Sequence, residues 1–189
     1  VSRPPSDRPV RIADAALEII AESGLHALTH RTIDARLGFP AGTTSYYART
    51  RAELISRALT LLIERFTEAM ADFPTDGIDT DEAAIDVVTA STLLMDSYET
   101  DQIAHVVLLI DLRHDPELHP LLNDTSPGRR AVLGMATSLI ERCGIPDAER
   151  HAHGLVALLQ GMTLARLAGG SDVSVRHAVE TYWAGMRRS

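Results

Sequence analysis

Between residues 28 and 51 the chain reads LTHRTIDARLGFPAGTTSYYARTR, a stretch crowded with arginines, hydroxyls and a pair of tyrosines. Its polar chemistry is hydrogen bonding and ion pairing rather than bond breaking. Guanidinium groups hold phosphates, and Ser, Thr and Tyr hydroxyls reach phosphate oxygens or base edges. The small polar run Gly42, Thr43, Thr44, Ser45 suits a helix lying in a DNA major groove, and Arg49 and Arg51 follow where they could grip the backbone.

Two short helices must present these groups. Thr29 is placed to cap the first, because its hydroxyl can accept a backbone N–H one turn on. Ile33 and Leu37 are four apart and share the buried side. Gly38 takes the left-handed conformation that stops the helix. Phe39 turns into the core and Pro40 opens the second helix, about Ala41 to Tyr47. A helix–glycine–helix turn is common in all-α proteins, and a Thr/Ser/Tyr-rich helix is often only a solvated face. Position favours the DNA reading: one amphipathic helix precedes the pair and one long helix follows it.

From about Val10 to Leu62 the chain resembles the DNA-binding domain of the TetR (tetracycline-repressor) family of transcriptional regulators. The resemblance rests on AALEIIAESGLHALTHRTIDARLG and PAGTTSYYARTRAELI. They are similar to the family's first helix, glycine, Thr-led second helix, Gly-hydrophobic turn, GTxxYY-like third helix and basic-x-basic-x-Glu-Leu lead-in to a fourth. The DNA-contacting set it implies is Thr29, Arg31, Ala41, Gly42, Thr43, Thr44, Ser45, Tyr46, Tyr47, Arg49 and Arg51, with Arg31 on guanine. Pro40, Ala41 and Ala48 depart from the pattern, standing for a small polar cap, a frequent lysine and a core aromatic. Ala48 predicts looser packing behind the third helix unless a neighbour fills the space.

The chain has 189 residues, of which 45% are apolar and 4% aromatic, ample for a core. Net charge is −8, against a wholly basic nucleic-acid binder. The distribution is uneven: up to Arg57, eight arginines face six acids, a balance of +2 that leaves −10 for the remainder. A mildly basic head on an acidic body suits a modular regulator. All eighteen cations are arginine, which GC-rich coding explains. Cys143, the one cysteine, permits no internal disulfide and fits a reducing cytoplasm. No apolar run is long enough to span a membrane, and the first residues do not read as a signal peptide.

Residues 1–9 read as a flexible arm within a three-helix DNA-binding domain of residues 1–50. Residues 51–189 read as a helical ligand-binding and dimerisation domain. About nine helices are expected in all. The first runs from about Val10 to Ser23 and a long one from about Arg51 to Phe73, with Pro74 and Gly77 as breaks. Asp79 with Glu82 reads as a capping box for a helix to Tyr98. Further helices cover about Asp101–His114, a segment opened by Ser126-Pro127 and stopped at Gly144, Asp147–Ala168 and Asp172–Arg187. Gly161 in the penultimate helix predicts close approach of another helix.

By the same resemblance the last two helices form a four-helix dimer interface, with Leu155, Leu159, Met162, Val175, Val179, Tyr182 and Met186 as candidates. The helices that surround the family's cavity supply candidate pocket walls: Phe66, Met70, Met95, Val106, Leu109, Ile110, Met135 and Leu139, with His105 and Arg113 adding polarity. The effector so implied is largely apolar. No metal or cofactor is expected. His151 and His153 diverge on a helix, and His114 and His119 sit in a solvated, Pro-broken segment. No phosphate loop or Ser–His–acid signature is present, so the chain is not expected to be an enzyme. The expected function is a ligand-responsive repressor that binds a near-palindromic operator as a homodimer. A helical enzyme or carrier, or an interaction module with a vestigial head, is the alternative.

Overall fold

The computed structural model describes residues 7–71, 73, 75–122, 126–170 and 173–188. Among them are nine α-helices and no strand. They are α1 (Arg8–Ser23), α2 (His30–Leu37), α3 (Thr43–Tyr47), α4 (Arg51–Ala71), α5 (Asp81–Ser97), α6 (Glu99–Asp111), α7 (Pro127–Arg142), α8 (Ala148–Leu167) and α9 (Val175–Met186). Pro74 and Asp172, singled out above, lie outside the described residues, as do residues 1–6 of the expected arm. Arg8 belongs to α1 rather than to an arm.

Local sequence signals set most helix ends. The Thr29 hydroxyl accepts from the Thr32 amide at 3.1 Å, and Ser126 caps α7 with Pro127 in its first turn. Two caps sit later than expected. Thr80, not Asp79, caps α5, its hydroxyl accepting from the Ala83 amide at 3.4 Å; Ser174 caps α9 through the His177 amide. Each has the extended backbone that aims a hydroxyl at the third amide.

The chain divides into two compact units, residues 1–65 with 100–122, and 66–99 with 123–189. The first therefore takes in nearly all of α6, which lies beyond the expected boundary near residue 51. Its core joins Ile12, Ala16 and Ile20 of α1, Ile33 of α2, Leu54 and Ala58 of α4, and Ala104 and Leu108 of α6, all fully buried. Arg65 on α4 ties the same elements electrostatically. Its guanidinium donates to Asp14 of α1 at 2.5 Å and to Asp101 of α6 at 2.9 Å. Burial pushes the Asp101 carboxyl above its usual range, although the Arg65 charge pulls the other way.

The second unit packs Ala84, Ile85 and Val88 of α5 against Leu139 and Ile140 of α7, Ala152 and Leu155 of α8, and Val179, Trp183 and Met186 of α9. Arg176 of α9 and Arg187, just past its end, pin it to α5. Arg176 pairs with Glu82 and Asp86, and Arg187 pairs with Asp81 while donating to the Cys143 carbonyl at 2.6 Å. Cys143 is buried, and burial pushes its thiol up, away from the reactive thiolate.

This packing corrects the expected dimer stripe. Leu155, Val179 and Met186 are 1%, 0% and 2% exposed within the single chain, so they cannot meet a second copy. Leu159, Val175 and Tyr182 are half-buried against the same core. A methyl group on Gly161 would meet nothing within 4 Å among the described residues. The close approach occurs at Gly154, where Tyr182 crosses α8 and donates its hydroxyl to the His151 carbonyl at 3.1 Å. A methyl group on Gly154 would overlap that hydroxyl and lie 3.1 Å from its ring carbon Cζ. Gly154→Ala should therefore destabilise the fold by about 1–3 kcal/mol through overpacking. Gly161→Ala should not, and Tyr182→Phe should partly rescue Gly154→Ala. Urea unfolding of the four proteins checks this, and equal midpoints for the two alanine variants would refute it.

Candidate nucleic-acid interface

α3 has five residues, too few to hold a helix by its own hydrogen bonds. Its cap position is Gly42, which has a φ of 87° and no side chain to offer. Asp34 on α2 supplies the missing acceptor. One carboxylate oxygen accepts from the Gly42 amide at 2.8 Å; the other accepts from the Thr44 amide at 2.8 Å and the Thr44 hydroxyl at 2.6 Å. Asp34 is 5% exposed and Thr44 fully buried. Burial alone would raise the Asp34 carboxyl, but these donors outweigh it and hold it below the usual 3.8. Gly38, at a φ of 64°, makes the turn that brings α2 and α3 together.

The far end of α3 is fixed from α2 as well. His30 Nε2 lies 2.7 Å from the Ala48 carbonyl, and the Ala48 methyl is fully buried. The small residue thus leaves no exposed gap behind the helix. Phe39 is half-buried against the core, with the guanidinium groups of Arg8 and Arg11 over its ring at 5.7 and 5.1 Å. Arg36 locks α2 to α1 through Glu18 and Glu22.

The structure separates the expected contact residues into two groups. Thr44 is a buried strut of the turn and presents nothing outward. Arg51 is likewise committed, its guanidinium donating to the Leu25 carbonyl at 2.5 Å and the Leu28 carbonyl at 3.4 Å. Thr29 caps α2, bonding Thr32 through backbone and side chain. The Thr43 hydroxyl donates to the Pro40 carbonyl at 2.7 Å. Thr29 and Arg51 are exposed while making these bonds, and exposed side chains also stand on Arg31, Ala41, Ser45, Tyr46 and Arg49, beside the exposed Gly42 backbone. Tyr46 is 83% exposed and stands edge-on to the half-buried Tyr47, ring centroids 5.2 Å apart. The outward face is therefore one of arginines, a hydroxyl and an aromatic ring. Sequence reasoning missed Asp34 and His30; an acid in the middle of an apolar helix stripe, eight residues before the uncapped Gly42, was the available signal.

The expected pocket residues fall in both units. In the first unit, Ile110 is 56% exposed, and Arg113 is also on the surface, donating to the Ile110 carbonyl at 2.6 Å. These two are corrected from pocket wall to surface. His105, Val106 and Leu109 are half-buried. In the second unit Leu139 is core, and Phe66, Met70, Met95 and Met135 are half-buried. Among the described residues, no three His, Cys, Asp or Glu side chains converge for a metal ion. No helix there is long and apolar enough to cross a membrane.

An N-terminal helix-turn-helix carried on a larger helical body defines a class of DNA-binding regulators. The profile of the tetracyclin repressor-like C-terminal domain matches residues 79–188, and the chain belongs to the TetR family of transcriptional regulators. Among solved structures, a transcriptional regulator from Rhodococcus sp. RHA1 shares the fold at a TM-score of 0.80 and 18% identity, over 95% of this chain and 96% of that one. A TetR-family member from Streptomyces coelicolor A3 does so at 0.73 and 23%, over 96% and 98%. The multidrug binding protein EbrR, complexed with malachite green, does so at 0.70 and 23%, over 97% and 98%. At these identities the likeness is one of fold. No curated protein matches the chain in sequence.

Asp34→Asn keeps the shape but leaves donors of the α3 turn without a charged acceptor, and should cost about 1–3 kcal/mol at neutral pH. The lowered carboxyl makes this contribution present above pH 3.8 and lost as the pH falls through the folded value. Urea curves of parent and variant should therefore begin to approach each other only as the pH falls below 3.8, and meet below the folded value. A gap that persists in acid would show that the charge is not what holds the turn.

Proposed function

We propose that the chain is a ligand-responsive repressor that binds a near-palindromic operator as a homodimer and leaves it when a small molecule binds. It works in the cytoplasm, where its DNA lies. The observation that carries the DNA reading is the outward face of α2 and α3, with Arg31, Ser45, Tyr46 and Arg49 exposed over a turn fixed by buried Asp34. Arg31 reads guanine, Arg49 holds phosphate, and Tyr46 meets a phosphate or a thymine methyl.

The revised dimer face lies on the outer sides of α8 and α9. Ala157, Gly161 and Leu164 on α8 and Thr181, Ala184 and Gly185 on α9 are exposed in the single chain. Leu164 is 51% exposed and Gly161 has open space above it. Small residues at helical spacing let two helix pairs approach closely, and an isologous contact needs such a self-complementary surface. Two heads then meet successive major-groove faces about 34–36 Å apart.

Switching follows from α4, whose 21 residues span about 30 Å. Arg65 couples this helix to α1 and α6, so a shift of α6 is felt by the DNA-binding helices. The related fold of EbrR, a multidrug binding protein, supports a small-molecule effector. The effector moves the equilibrium only by its differential affinity for the two states.

A mobility shift with the DNA upstream of the chain's own gene tests the reading, and no binding there or to selected sequences would refute it. Arg31→Ala should reduce discrimination against scrambled DNA by about 1–3 kcal/mol. Arg49→Ala should weaken binding to all sequences and flatten the salt dependence by about one unit of slope. Arg51→Ala should instead lower stability without altering the slope. A slope change for Arg51→Ala equal to that of Arg49→Ala would return it to the phosphate contacts. For assembly, Leu164→Glu should sediment as a folded monomer with lost operator affinity; a variant that stays dimeric would refute the assigned face.

A further inference from the structure

Arg8 and Arg11 are the first and fourth residues of α1. Three apart on a helix, their side chains lie on one face. Both are exposed, and both guanidinium groups stand over the ring of Phe39, 5.7 and 5.1 Å from its centroid. Phe39 follows the Gly38 turn and comes two residues before Ala41, where the outward face of α3 begins. One ring thus gathers two positive charges at the turn that leads into α3. Ala41 and Gly42, exposed at that edge, carry no charge of their own, so the positive charge there comes from α1.

Within the protein this placement is unfavourable. The first turn of a helix carries the positive end of its dipole and favours acids, yet that of α1 holds none. Two cations three apart on a helix also repel each other. Other arginines of the chain are placed in the opposite way. Arg36, Arg65, Arg176 and Arg187 each hold carboxylates. Arg166 pairs with Asp96 in a cleft of the second unit that Met162 and Val175 also line. Near Arg11 in sequence the acids are Asp7, whose side chain makes no cap, and Asp14, which pairs with Arg65. Residues 1–6, VSRPPS, contain no acid at all. The ring offsets part of the cost and fixes where the charges stand. A local rule broken in this way marks a functional surface.

An anion at the solvent side of the ring relieves two converging cations. A guanidinium over an aromatic face still has N–H groups at its edge for such an acceptor. We propose that Arg8 and Arg11, held by Phe39, grip phosphates of the DNA backbone beside the groove that α3 enters. This extends the DNA contacts from α2 and α3 to α1, and it rests on the regulator reading above. Phosphates are alike on every duplex, so the grip adds affinity and fixes register without choosing bases. Phe39 is a positioning residue here, acting through the two arginines.

Titration of the operator and of a scrambled duplex with the full chain, over a range of salt concentrations, tests this. Arg11→Ala should weaken binding to both duplexes by a similar factor, about tenfold, the worth of one charged hydrogen bond. It should also flatten the salt dependence by about one unit of slope. Arg11→Lys keeps the charge and should keep the slope. Phe39→Leu keeps an apolar side chain without the ring, and should weaken both duplexes about two- to fivefold. Arg57→Ala removes the same charge from the exposed side of α4 and should leave the slope unchanged. Urea unfolding separates a structural role: Arg11→Ala should not lower the midpoint, because its charge opposes the helix dipole. A lowered midpoint with an unchanged slope would make Arg11 a structural contact and overturn the proposal. Equal flattening by Arg57→Ala would overturn it too, reducing the effect to net charge, as would a loss confined to the operator. A parent that binds neither duplex would sink the regulator reading and this one together. A parent that binds, with full affinity and slope in Arg11→Ala, would sink the α1 grip and leave the regulator.

Discussion

Asp34 sends both carboxylate oxygens into the first turn of α3, where the helix has no capping side chain of its own. The amides there carry the positive end of the helix dipole, and a buried anion suits them better than any neutral group. With α3 only five residues long, little else at that end sets its axis. His30 fixes the opposite end through the Ala48 carbonyl. The direction of the exposed Tyr46 and Ser45 follows from these two anchors, both on α2. The outward face of α3 is thus set by α2, one helix being built on another.

The same economy of polar groups appears throughout the chain. Arg36 joins α2 to α1, Arg65 joins α4 to α1 and α6, and Arg176 and Arg187 join α9 to α5. The planar fork of arginine suits this, because one guanidinium can hold two or three carboxylates from different helices. Several of these pairs are half in solvent and add little individually. Their effect is to fix which helices neighbour one another, while the apolar clusters supply the energy. Net positive charge in the N-terminal segment is accordingly a poor guide to DNA contacts.

What the sequence disclosed was local. The Thr29 cap, the Gly38 stop and the Ser126-Pro127 start depend on residues within one turn of each other, and they lie where the spacing places them. The all-helical class followed from periodicity. Orientation in the third dimension was not legible. α8 carries apolar residues nearly all round, so the sequence did not say that Leu155 faces Trp183 and Val179 while Leu164 faces out. Arg51 continued a basic pattern, yet its reach to the Leu25 carbonyl depends on a contact across 26 positions. Asp34 was hidden for a similar reason: its partners lie beyond a glycine turn, and only its place eight residues before the uncapped Gly42 pointed to them.

The first compact unit is discontinuous, made of residues 1–65 and 100–122. When the ribosome has finished α4, the segment holding α1 to α3 still lacks Asp101, Ala104 and Leu108, which complete its ion pairs and core. At about 5–20 residues per second, those partners follow only after several seconds of further synthesis. The nascent head spends that interval with part of its apolar surface open. A chain truncated before α6 would therefore lack Ala104 and Leu108 from the core of its first unit, and Asp101 from the Arg65 ion pairs.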